Sequence, residues 1–291
     1  MSGVDRRPDD RRTASIIIRT KNEERWLGTT LRAILTQSIL PVEIFVIDSG
    51  STDDTLTIAR RFPEVTVLLI SPQEWGYSRA INRAASKATG EILVVLSAHC
   101  PPVDERWLAS LLAPFDDPIV AGVWGPSLSP GRPRPIVGPP EYQEPGSYRY
   151  ENRSWGLSNP NAAIRRELWE AFPFDESLPA AEDKAWGREA MARGYCIVYE
   201  PKAAVWHPTH HPLAAYRRNR AVQAGFAMMF PERRAQGVRP GALLRAFTRT
   251  VRFHVQNRDA AAFWKDAKRF PSLVAAVVGG MIGARGHKNR R

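Results

Sequence analysis

The first hundred residues alternate short β-branched runs with segments of helical periodicity. Strands are predicted at Ser15–Ile18, Glu43–Ile47, Val65–Ile70 and Ile92–Leu96. Helices are predicted at Glu24–Gln37, Thr55–Phe62 and Arg79–Ala88. Strands that alternate with helices of about ten residues are typical of βαβ units, whose strands pair in a parallel sheet covered on both faces. The pattern therefore predicts an α/β fold with a mostly parallel central sheet flanked by helices.

Regular structure returns later in the chain, after a proline-rich stretch. Pro126–Pro145 contains seven prolines, too many for regular structure, and we expect a long loop there. Helices are predicted at Arg165–Ala171 and Lys184–Arg193, and a strand at Cys196–Glu200. From Pro212 onward the pattern is helical and basic.

Positive charge is concentrated at the C-terminal end of the 291 residues. Residues 217–291 hold 17 Lys and Arg against 3 Asp and Glu, whereas residues 1–216 hold 24 against 27. We therefore predict a main domain over residues 14–211 and a basic helical C-terminal extension over residues 212–291.

Cysteine usage and apolar runs bear on location. Two cysteines, Cys100 and Cys196, do not make a disulfide framework, which favours a reducing cytoplasm. The N-terminus has arginines without an apolar core, so no signal peptide is expected. The longest apolar run, Leu273–Ala284, is shorter than the roughly 20 residues of a spanning helix. The expected location is cytoplasmic, with peripheral contact to the inner membrane face as an option.

Polar clusters follow three of the four predicted strands in the first hundred residues. They occupy residues 19–24, 48–54 and 97–100. Ligands of parallel sheets bind in the crevice at the carboxyl ends of the strands. Each cluster alone is also explained by turn and helix-capping chemistry. Three on one edge favour a binding site.

Five segments resemble the inverting family 2 glycosyltransferases of the GT-A fold. They occur in the family's order over about residues 14–210, and read SIIIRTKNEERWL, FVIDSGSTDDTL, GYSRAINRAASKATGEILVVLSAH, SNPNAAIRRELW and FDESLPAAEDKAWGREAMARGY. The resemblance implies transfer of a sugar from a nucleotide-diphosphate sugar to an acceptor hydroxyl with inversion. It also implies a role in cell-envelope, exopolysaccharide or lipid-linked glycan synthesis.

The resemblance implies a donor site at the strand ends. Thr20, Asn22 and Glu23 would supply hydrogen bonds to the nucleotide, and Asp48 would accept from the base or ribose. A second group comes from the third helix and the fourth strand: Arg79, Asn82 and Ser97. Arg79 and Asn82 are one helical turn apart, and a guanidinium pairs well with diphosphate. The alternative for Arg79 is a surface arginine on an amphipathic helix.

The family's metal-binding Asp-x-Asp position reads Ser97-Ala98-His99 in this chain. Serine and histidine suit Mg²⁺ poorly, because Mg²⁺ prefers hard oxygen ligands. His99 could bind Mn²⁺ or another imidazole-tolerant ion together with His207, or it could contact the diphosphate without a metal. A divalent cation, Mn²⁺ or Mg²⁺, is thus one option and metal independence the other.

Glu182-Asp183 occupies the place of the family's general-base pair. An inverting transferase needs one carboxylate within hydrogen-bond reach of the acceptor hydroxyl. By resemblance Asp183 is this base and Glu182 supports it. The alternative is that Asp183 only caps the helix that follows and stabilises its dipole.

Two other groups are expected to be structural. His207, His210 and His211 have zinc-like spacing but no cysteine pair at a matching distance, so no structural zinc site is expected. Cys100, followed by two prolines, is expected to be a buried thiol and not a nucleophile.

Arginines of the C-terminal extension stand among phenylalanines and methionines, as in Arg217, Arg218, Phe226, Met229 and Phe230. This composition fits an interfacial helix on an anionic membrane. A solvated charged face is the plain alternative. Nucleic-acid binding is not expected, because no recognised nucleic-acid module accompanies the charge.

Other enzyme classes fit the residues less well. A sugar nucleotidyltransferase needs a glycine-rich phosphate loop near the first strand, and a dehydrogenase needs a G-x-G-x-x-G turn, yet RTKNEER contains no glycine. The remaining alternative is a non-catalytic GT-A-like protein that binds nucleotide sugars. The altered residues at Ser97–His99 keep that alternative open.

Overall fold

The structure, a computed structural model, describes residues 12–129, 138–147, 156–208, 221–222 and 224–230. The chain divides into two compact units, residues 1–208 and residues 209–291.

The first unit is built of alternating strands and helices. Its strands are β1 Ala14–Thr20, β2 Glu43–Asp48, β3 Val65–Leu69, β4 Ile92–Ser97, β5 Val120–Trp124, β6 Ser127–Leu128, β7 Glu141–Gln143, β8 Asn161–Arg165, β9 Cys196–Tyr199 and β10 Val205–Trp206. Its α-helices are α1 Leu27–Leu35, α2 Thr55–Ala59, α3 Tyr77–Ala85, α4 Trp107–Leu112, α5 Arg166–Ala171 and α6 Glu182–Ala192.

The central sheet has the strand order β3-β2-β1-β4-β8-β5-β9-β7. β3, β2, β1 and β4 are parallel, and β5 pairs in parallel with β9. β8 runs antiparallel to both of its neighbours, β4 and β5, and β7 runs antiparallel to β9. The prediction of a mostly parallel sheet flanked by helices is confirmed.

The alternating side chains of β1 divide the core between the two faces of the sheet. Ile16 belongs to a buried cluster with Leu31 of α1 on one face. Ile17 belongs to a second buried cluster with Ile81 of α3 and Trp186 of α6 on the other face. Because both faces are covered, the ends of the strands are the part of the sheet that a ligand can approach.

The prediction of an unbroken loop over Pro126–Pro145 was wrong in two places. Ser127–Leu128 forms β6, which pairs with β10, and Glu141–Gln143 forms β7 on the edge of the large sheet. Both strands are short and free of proline, so each residue keeps its backbone donor. The prolines flank them, as expected for edge positions.

The pattern of apolar residues also misses β5 and β8. Both strands are short, and both are buried along most of their length, so neither shows the alternation that marks a half-buried strand. The omission matters for the site, because β8 is the strand that reverses direction within the sheet.

In the second unit the described residues 221–222 and 224–229 are helical. The rings of Phe226 and Phe230 stack there with centroids 6.3 Å apart. The rest of the predicted basic helical extension, together with His210 and His211, lies outside the described residues. Within the described ranges, every helix falls short of the length and apolarity needed to cross a membrane.

Candidate functional site

The predicted site residues that follow β1, β2 and β4 lie along one edge of the sheet. β1, β2 and β4 end there because they are parallel, and the antiparallel β8 begins there. The amide of Ser97, at the end of β4, donates to the carbonyl of Pro160 at 3.1 Å. The segment that precedes β8 therefore lies against the carboxyl end of β4.

Asn22 ties the end of β1 to the loop after β2. Its backbone has a left-handed φ of 55°, and its amide N donates to Ser51 Oγ at 2.8 Å. Its side-chain Oδ1 accepts from the amide of Thr52 at 2.8 Å. The two predicted nucleotide-binding loops thus form one connected surface.

Asp48 is buried at the end of β2 and organises the turn that follows it. Its Oδ1 accepts from the amides of Gly50 and Ser51, both at 2.9 Å, and its Oδ2 accepts from the Ser51 hydroxyl. Thr20, which lies opposite Asp48 on β1, is also buried, and its Oγ1 has no hydrogen-bond partner. A buried hydroxyl without a partner in the protein is able to hydrogen-bond a ligand that binds at this strand end.

Arg79 lies on α3 with its side chain about half exposed. Its Nε pairs with Glu176 Oε2 at 3.2 Å, and its Nη1 donates to the carbonyl of Glu74 at 2.8 Å. A guanidinium held on two sides and open on the others retains donors for a phosphate.

Asn82 lies one turn further along α3 and has a different surrounding. Its Nδ2 donates to the carbonyl of Phe174 and to Glu176 Oε1, at 2.8 and 3.1 Å. Its Oδ1 accepts from Trp169 Nε1 at 2.9 Å and from the amide of Phe174 at 3.2 Å. All four hydrogen bonds of an amide side chain are thereby made within the protein. Asn82 therefore anchors the segment before α6, and its contact with the nucleotide stays a prediction.

His99 follows β4 and contacts the loop after β1. Its Nδ1 lies 2.7 Å from Glu23 Oε1, with both side chains mostly buried. The predicted nucleotide-binding residue Glu23 is therefore committed to His99. Ser97, two residues earlier, is partly buried at the same edge.

His207, which directly follows β10, also contacts His99. The rings of His99 and His207 meet edge to face, with centroids 5.0 Å apart. One ligand atom from each of His99, Cys100 and His207 lies within 4.8 Å of the others, so these three residues could hold a metal ion. Cys100 is buried and free of a disulfide, as predicted.

This donor set does not fit Mg²⁺. Mg²⁺ requires oxygen ligands in near-octahedral arrangement. The three grouped donors are two imidazole nitrogens and a sulfur, and the Glu23 carboxylate contacts His99.

The predicted general base stands at the start of α6. Ala181, just before the helix, has a left-handed φ of 68°, an uncommon conformation for a residue with a Cβ. Asp183 Oδ2 accepts from the amide of Asn159 at 3.0 Å. Asp183 Oδ1 accepts from the amide of Lys184 at 2.8 Å. The carboxylate is thus fixed beside the segment that precedes β8.

Glu182 is buried and paired with Arg19. Arg19 Nη1 lies 3.1 Å from Glu182 Oε1, and Asn159 Nδ2 donates to the same oxygen at 3.0 Å. Burial and the adjacent Asp183 carboxylate raise the pKa of Glu182 above its ordinary value, although Arg19 opposes the shift. Two adjacent carboxylates in unequal surroundings are typical of acid–base sites. In such sites the surroundings give the two groups different pKa values, so that they take different roles.

Arg19 also lies over the ring of Tyr77, with its guanidinium carbon 5.2 Å from the ring centroid. It therefore links the end of β1, the start of α3 and the start of α6. Its partner Glu182 directly precedes the predicted base, Asp183.

Sequence reasoning assigns no role to Arg19 or Asn159. Arg19 directly precedes Thr20, and its place at a strand end was the available signal. Asn159 lies before an antiparallel strand, so its position at this edge follows only from the reversal of β8. Its Oδ1 is buried without a hydrogen-bond partner.

The sequence of this chain matches two descriptions of glycosyltransferase families. Residues 15–171, more than half of the chain, match the family described as glycosyl transferase family 2. Residues 141–225 match a glycosyltransferase-like family 2 description.

Two relatives are O-antigen chain rhamnosyltransferases. The chain is 26% identical over 210 residues to RfbN of Salmonella typhimurium, covering 66% of this chain and 65% of RfbN. It is 29% identical over 207 residues to WbaN of Salmonella anatum, with 66% and 65% covered. The chain thus spans 65% of the length of these relatives.

Solved structures share the fold. The mannosyltransferase PcManGT of Pyrobaculum calidifontis, in complex with GDP-Man and Mn²⁺, superposes with a TM-score of 0.61 at 22% identity, covering 96% of this chain and 81% of that one. S. aureus TarS 1-349 in complex with UDP gives a TM-score of 0.55 at 21% identity, with 74% and 65% covered. Because the family match covers more than half of the chain, the chain belongs to glycosyl transferase family 2.

Proposed function

We propose that this chain transfers a sugar from a nucleotide-diphosphate sugar to an acceptor hydroxyl, with inversion at the anomeric carbon. The observation that carries the proposal is the placement of Asp183. Its carboxylate is held by the amide of Asn159 at the sheet edge where β1, β2 and β4 end. The family membership of residues 15–171 supports the same chemistry.

In the proposed reaction Asp183 is the general base. The acceptor oxygen forms a bond to the anomeric carbon while its proton passes to an Asp183 oxygen. The bond between the anomeric carbon and the diphosphate oxygen breaks, and its electron pair leaves with the nucleoside diphosphate. Attack from the face opposite the leaving group inverts the anomeric carbon. No step requires a covalent enzyme intermediate.

Glu182 supports the base as a neighbour and not as a second base. Its buried side chain is occupied by Arg19 and Asn159. Burial and the neighbouring Asp183 carboxylate raise the pKa of Glu182, and its oxygen Oε1 is already taken by two donors, so Glu182 is not placed to serve as a second base. Arg19 and Asn159 are positioning residues in this scheme.

The proposed donor site uses the loops after β1, β2 and β4. Thr20 offers its unpaired hydroxyl, and Asn22 and Asp48 hold the two loops in one surface. Arg79 faces the diphosphate, and Ser97 lies at the end of the central strand. Glu23 acts through His99, which it contacts.

The proposed acceptor is a growing glycan or a lipid-linked sugar of the cell envelope. The support is the similarity to two O-antigen chain rhamnosyltransferases. We further propose that the enzyme works at the inner face of the cell membrane as a peripheral protein, with residues 217–291 supplying positive charge.

The donor can be identified by thermal shift. A ligand that binds the folded chain and not the unfolded one raises the melting temperature. UDP-, GDP- and dTDP-sugars are screened one at a time on the full chain. The sugar nucleotide that raises the melting temperature most is then used in the binding and transfer assays.

The test of the base replaces Asp183 by Asn, which keeps the size of the side chain. Transfer is expected to fall by about 10²- to 10⁴-fold, the usual contribution of a general base. Donor affinity, measured by calorimetry, is expected to stay near that of the native chain. The matched control is Glu189→Gln, which neutralises an exposed carboxylate on the same helix. Transfer near the native rate in the Asp183→Asn chain would remove Asp183 from the mechanism.

The native chain, the Asp183→Asn chain and the donor also test the non-catalytic alternative. A binding protein would take up the donor in calorimetry and neither transfer nor hydrolyse its sugar. Slow donor hydrolysis that is lost in Asp183→Asn supports the enzyme.

A further inference from the structure

A groove lies between α1 and α2, on the side of these helices that does not face the sheet. α1 buries Leu27 and Leu31 in the core, whereas the residues that line the groove are exposed or partly exposed. The groove has a volume of about 360 Å³, at the lower end of the range of small-ligand sites. The proposed donor site and the proposed base use none of its lining residues, so the groove is a separate feature.

Three arginines line this groove, which we call the arginine groove. Arg25 precedes α1, Arg32 belongs to α1, and Arg61 follows α2. Within the described ranges none of the three forms an ion pair. The Arg25 guanidinium lies over the ring of Trp26, and Arg32 Nη2 has one hydrogen bond, to Thr29 Oγ1 at 3.5 Å. Most guanidinium N–H groups of the arginine groove are therefore left for a ligand.

The charge of the arginine groove indicates the class of ligand. The carboxylate in its lining, Glu24, accepts through Oε2 from the amide of Asp54 at 3.0 Å. Three guanidinium charges thus stand against one carboxylate. A phosphate monoester carries about two negative charges at pH 7 and offers three acceptor oxygens. It matches this surplus, and the planar guanidinium pairs with phosphate oxygens through two parallel hydrogen bonds.

Gly28 of α1 forms part of the floor of the arginine groove. A Cβ at this position would lie 3.4 Å from Ile58 Cγ2 and 3.6 Å from Arg32 Nη1. These are ordinary van der Waals distances, so alanine fits here, and alanine is the better helix former. The glycine therefore gives up helix stability and leaves open space beside the Arg32 guanidinium.

Apolar side chains complete the lining. Ile58 and Phe62, both partly buried, pack against the core and also border the arginine groove. An apolar surface beside guanidinium groups suits a ligand that has an apolar part next to its phosphate.

We propose that the arginine groove binds a phosphate monoester. Arg25, Arg32 and Arg61 surround the phosphate, and the apolar part of the ligand lies against Ile58 and Phe62. A soluble phosphate ester and the headgroup of phosphatidic acid both present this group. The site does not rest on the proposed function, because its binding is measured without sugar transfer.

The first experiment titrates phenyl phosphate, a soluble monoester with an apolar group, into the full chain by calorimetry. The double variant Arg32→Gln, Arg61→Gln should bind it at least about tenfold more weakly, because two charged donors are lost. The matched control is Arg60→Gln, Lys87→Gln, which removes the same charge from exposed residues outside the arginine groove. Its affinity should stay near that of the native chain.

Gly28→Ala separates binding from folding. The added Cβ fills the floor of the arginine groove and should weaken the binding of phenyl phosphate. The melting temperature should stay at or above that of the native chain, because the Cβ meets no clash and favours the helix.

The second experiment identifies the source of the phosphate. Co-sedimentation compares vesicles that contain phosphatidic acid, a monoester, with vesicles of equal charge that contain phosphatidylglycerol, a diester. General attraction to basic residues is the same for both kinds of vesicle. A preference for phosphatidic acid that Gly28→Ala removes identifies the lipid as the ligand. Phenyl phosphate binding without this preference identifies a soluble ester.

The site is overturned when neither probe distinguishes the native chain from the Arg32→Gln, Arg61→Gln chain. The three arginines would then be a solvated charged face. Sugar transfer by the Gly28→Ala chain should stay near the native rate, so a failure of the proposed function and a failure of this site are recognised separately.

Discussion

Arg19 and Glu182 form an ion pair of 3.1 Å across 163 positions of sequence. Their side chains are 11% and 5% exposed. The pair joins the end of the first strand to the start of the helix that carries the proposed base. We therefore expect the removal of either partner to change both stability and the proposed catalysis.

The first prediction concerns this pair. Arg19→Gln should lower the free energy of unfolding at neutral pH by about 1–3 kcal/mol, because Glu182 loses a charged donor in a buried place. The comparison is Arg193→Gln, which breaks the half-exposed pair between Arg193 and Glu189. Exposed pairs of this kind contribute about 0–1 kcal/mol. Urea unfolding measures both. Equal losses would mean that burial adds nothing to the Arg19 pair.

The second prediction concerns pH. Burial raises the pKa of Glu182 above its ordinary value of 4.5, so the folded chain holds this proton more tightly than the unfolded chain. Stability then falls as pH rises from the unfolded pKa to the folded pKa. Glu182→Gln mimics the protonated form and removes this term. The difference in unfolding free energy should shift in favour of Glu182→Gln as pH rises above 4.5.

The control for that series is Glu170→Gln, which changes an exposed carboxylate on α5. This variant shows what the loss of an exposed, ion-paired carboxylate contributes by itself. A shift in the opposite direction for Glu182→Gln would mean that Arg19 lowers the pKa of Glu182 by more than burial raises it.

The third prediction concerns donor binding. Asp48→Ala should weaken binding of the donor by about 1–3 kcal/mol, because a buried acceptor is lost and the turn it organises loosens. Ser51→Ala removes only the hydroxyl contact to Asp48 and should cost less. Calorimetry with the donor found by thermal shift compares them. Unchanged affinity in Asp48→Ala would make Asp48 a turn residue only.

The fourth prediction concerns two glycines. A Cβ at Gly125 would lie 1.8 Å from the carbonyl oxygen of Ala203, so Gly125→Ala forces the backbone apart near the end of β5. A Cβ at Gly194 would meet nothing within 4 Å, although its φ is +93°. Gly194→Ala should therefore cost only the backbone strain of about 1–2 kcal/mol. In thermal unfolding Gly125→Ala should be clearly the less stable chain, and the reverse order would contradict the close approach.

The fifth prediction concerns residues 217–291. Their excess of basic residues should bind the chain to anionic vesicles, at about 1 kcal/mol for each basic residue near the surface. Binding should weaken with salt, because the attraction is screened. Changing Arg217, Arg218 and Arg220 to Gln should reduce co-sedimentation with anionic vesicles.

The matched control changes three exposed basic residues of the first unit, Arg60, Lys87 and Arg106, to Gln. It removes the same charge and should leave vesicle binding nearly intact. Equal partitioning of the native chain into neutral and anionic vesicles, or into neither, would withdraw the membrane proposal.

The sequence by itself determined the parallel part of the sheet, β1 to β4, and most of the edge where those strands end. The runs around Ile16, Phe45 and Val94 predict parallel strands, because each is short, rich in β-branched residues and next to a predicted helix. Asp48 and His99 could be placed at the edge for the same reason, since parallel strands end together. The local sequence pattern is enough to place a residue at the edge when that residue directly follows its own strand.

Only the tertiary structure decided which of these side chains meet and what each one does. The reversal of β8 carries Asn159 to the edge, and the return of the chain after β10 carries His207 to His99. The contacts of Asn82 with Trp169 and Phe174 join α3 to α5 and to the segment before α6. These outcomes depend on strand direction and on contacts between residues far apart in sequence, which hydrophobic periodicity does not encode.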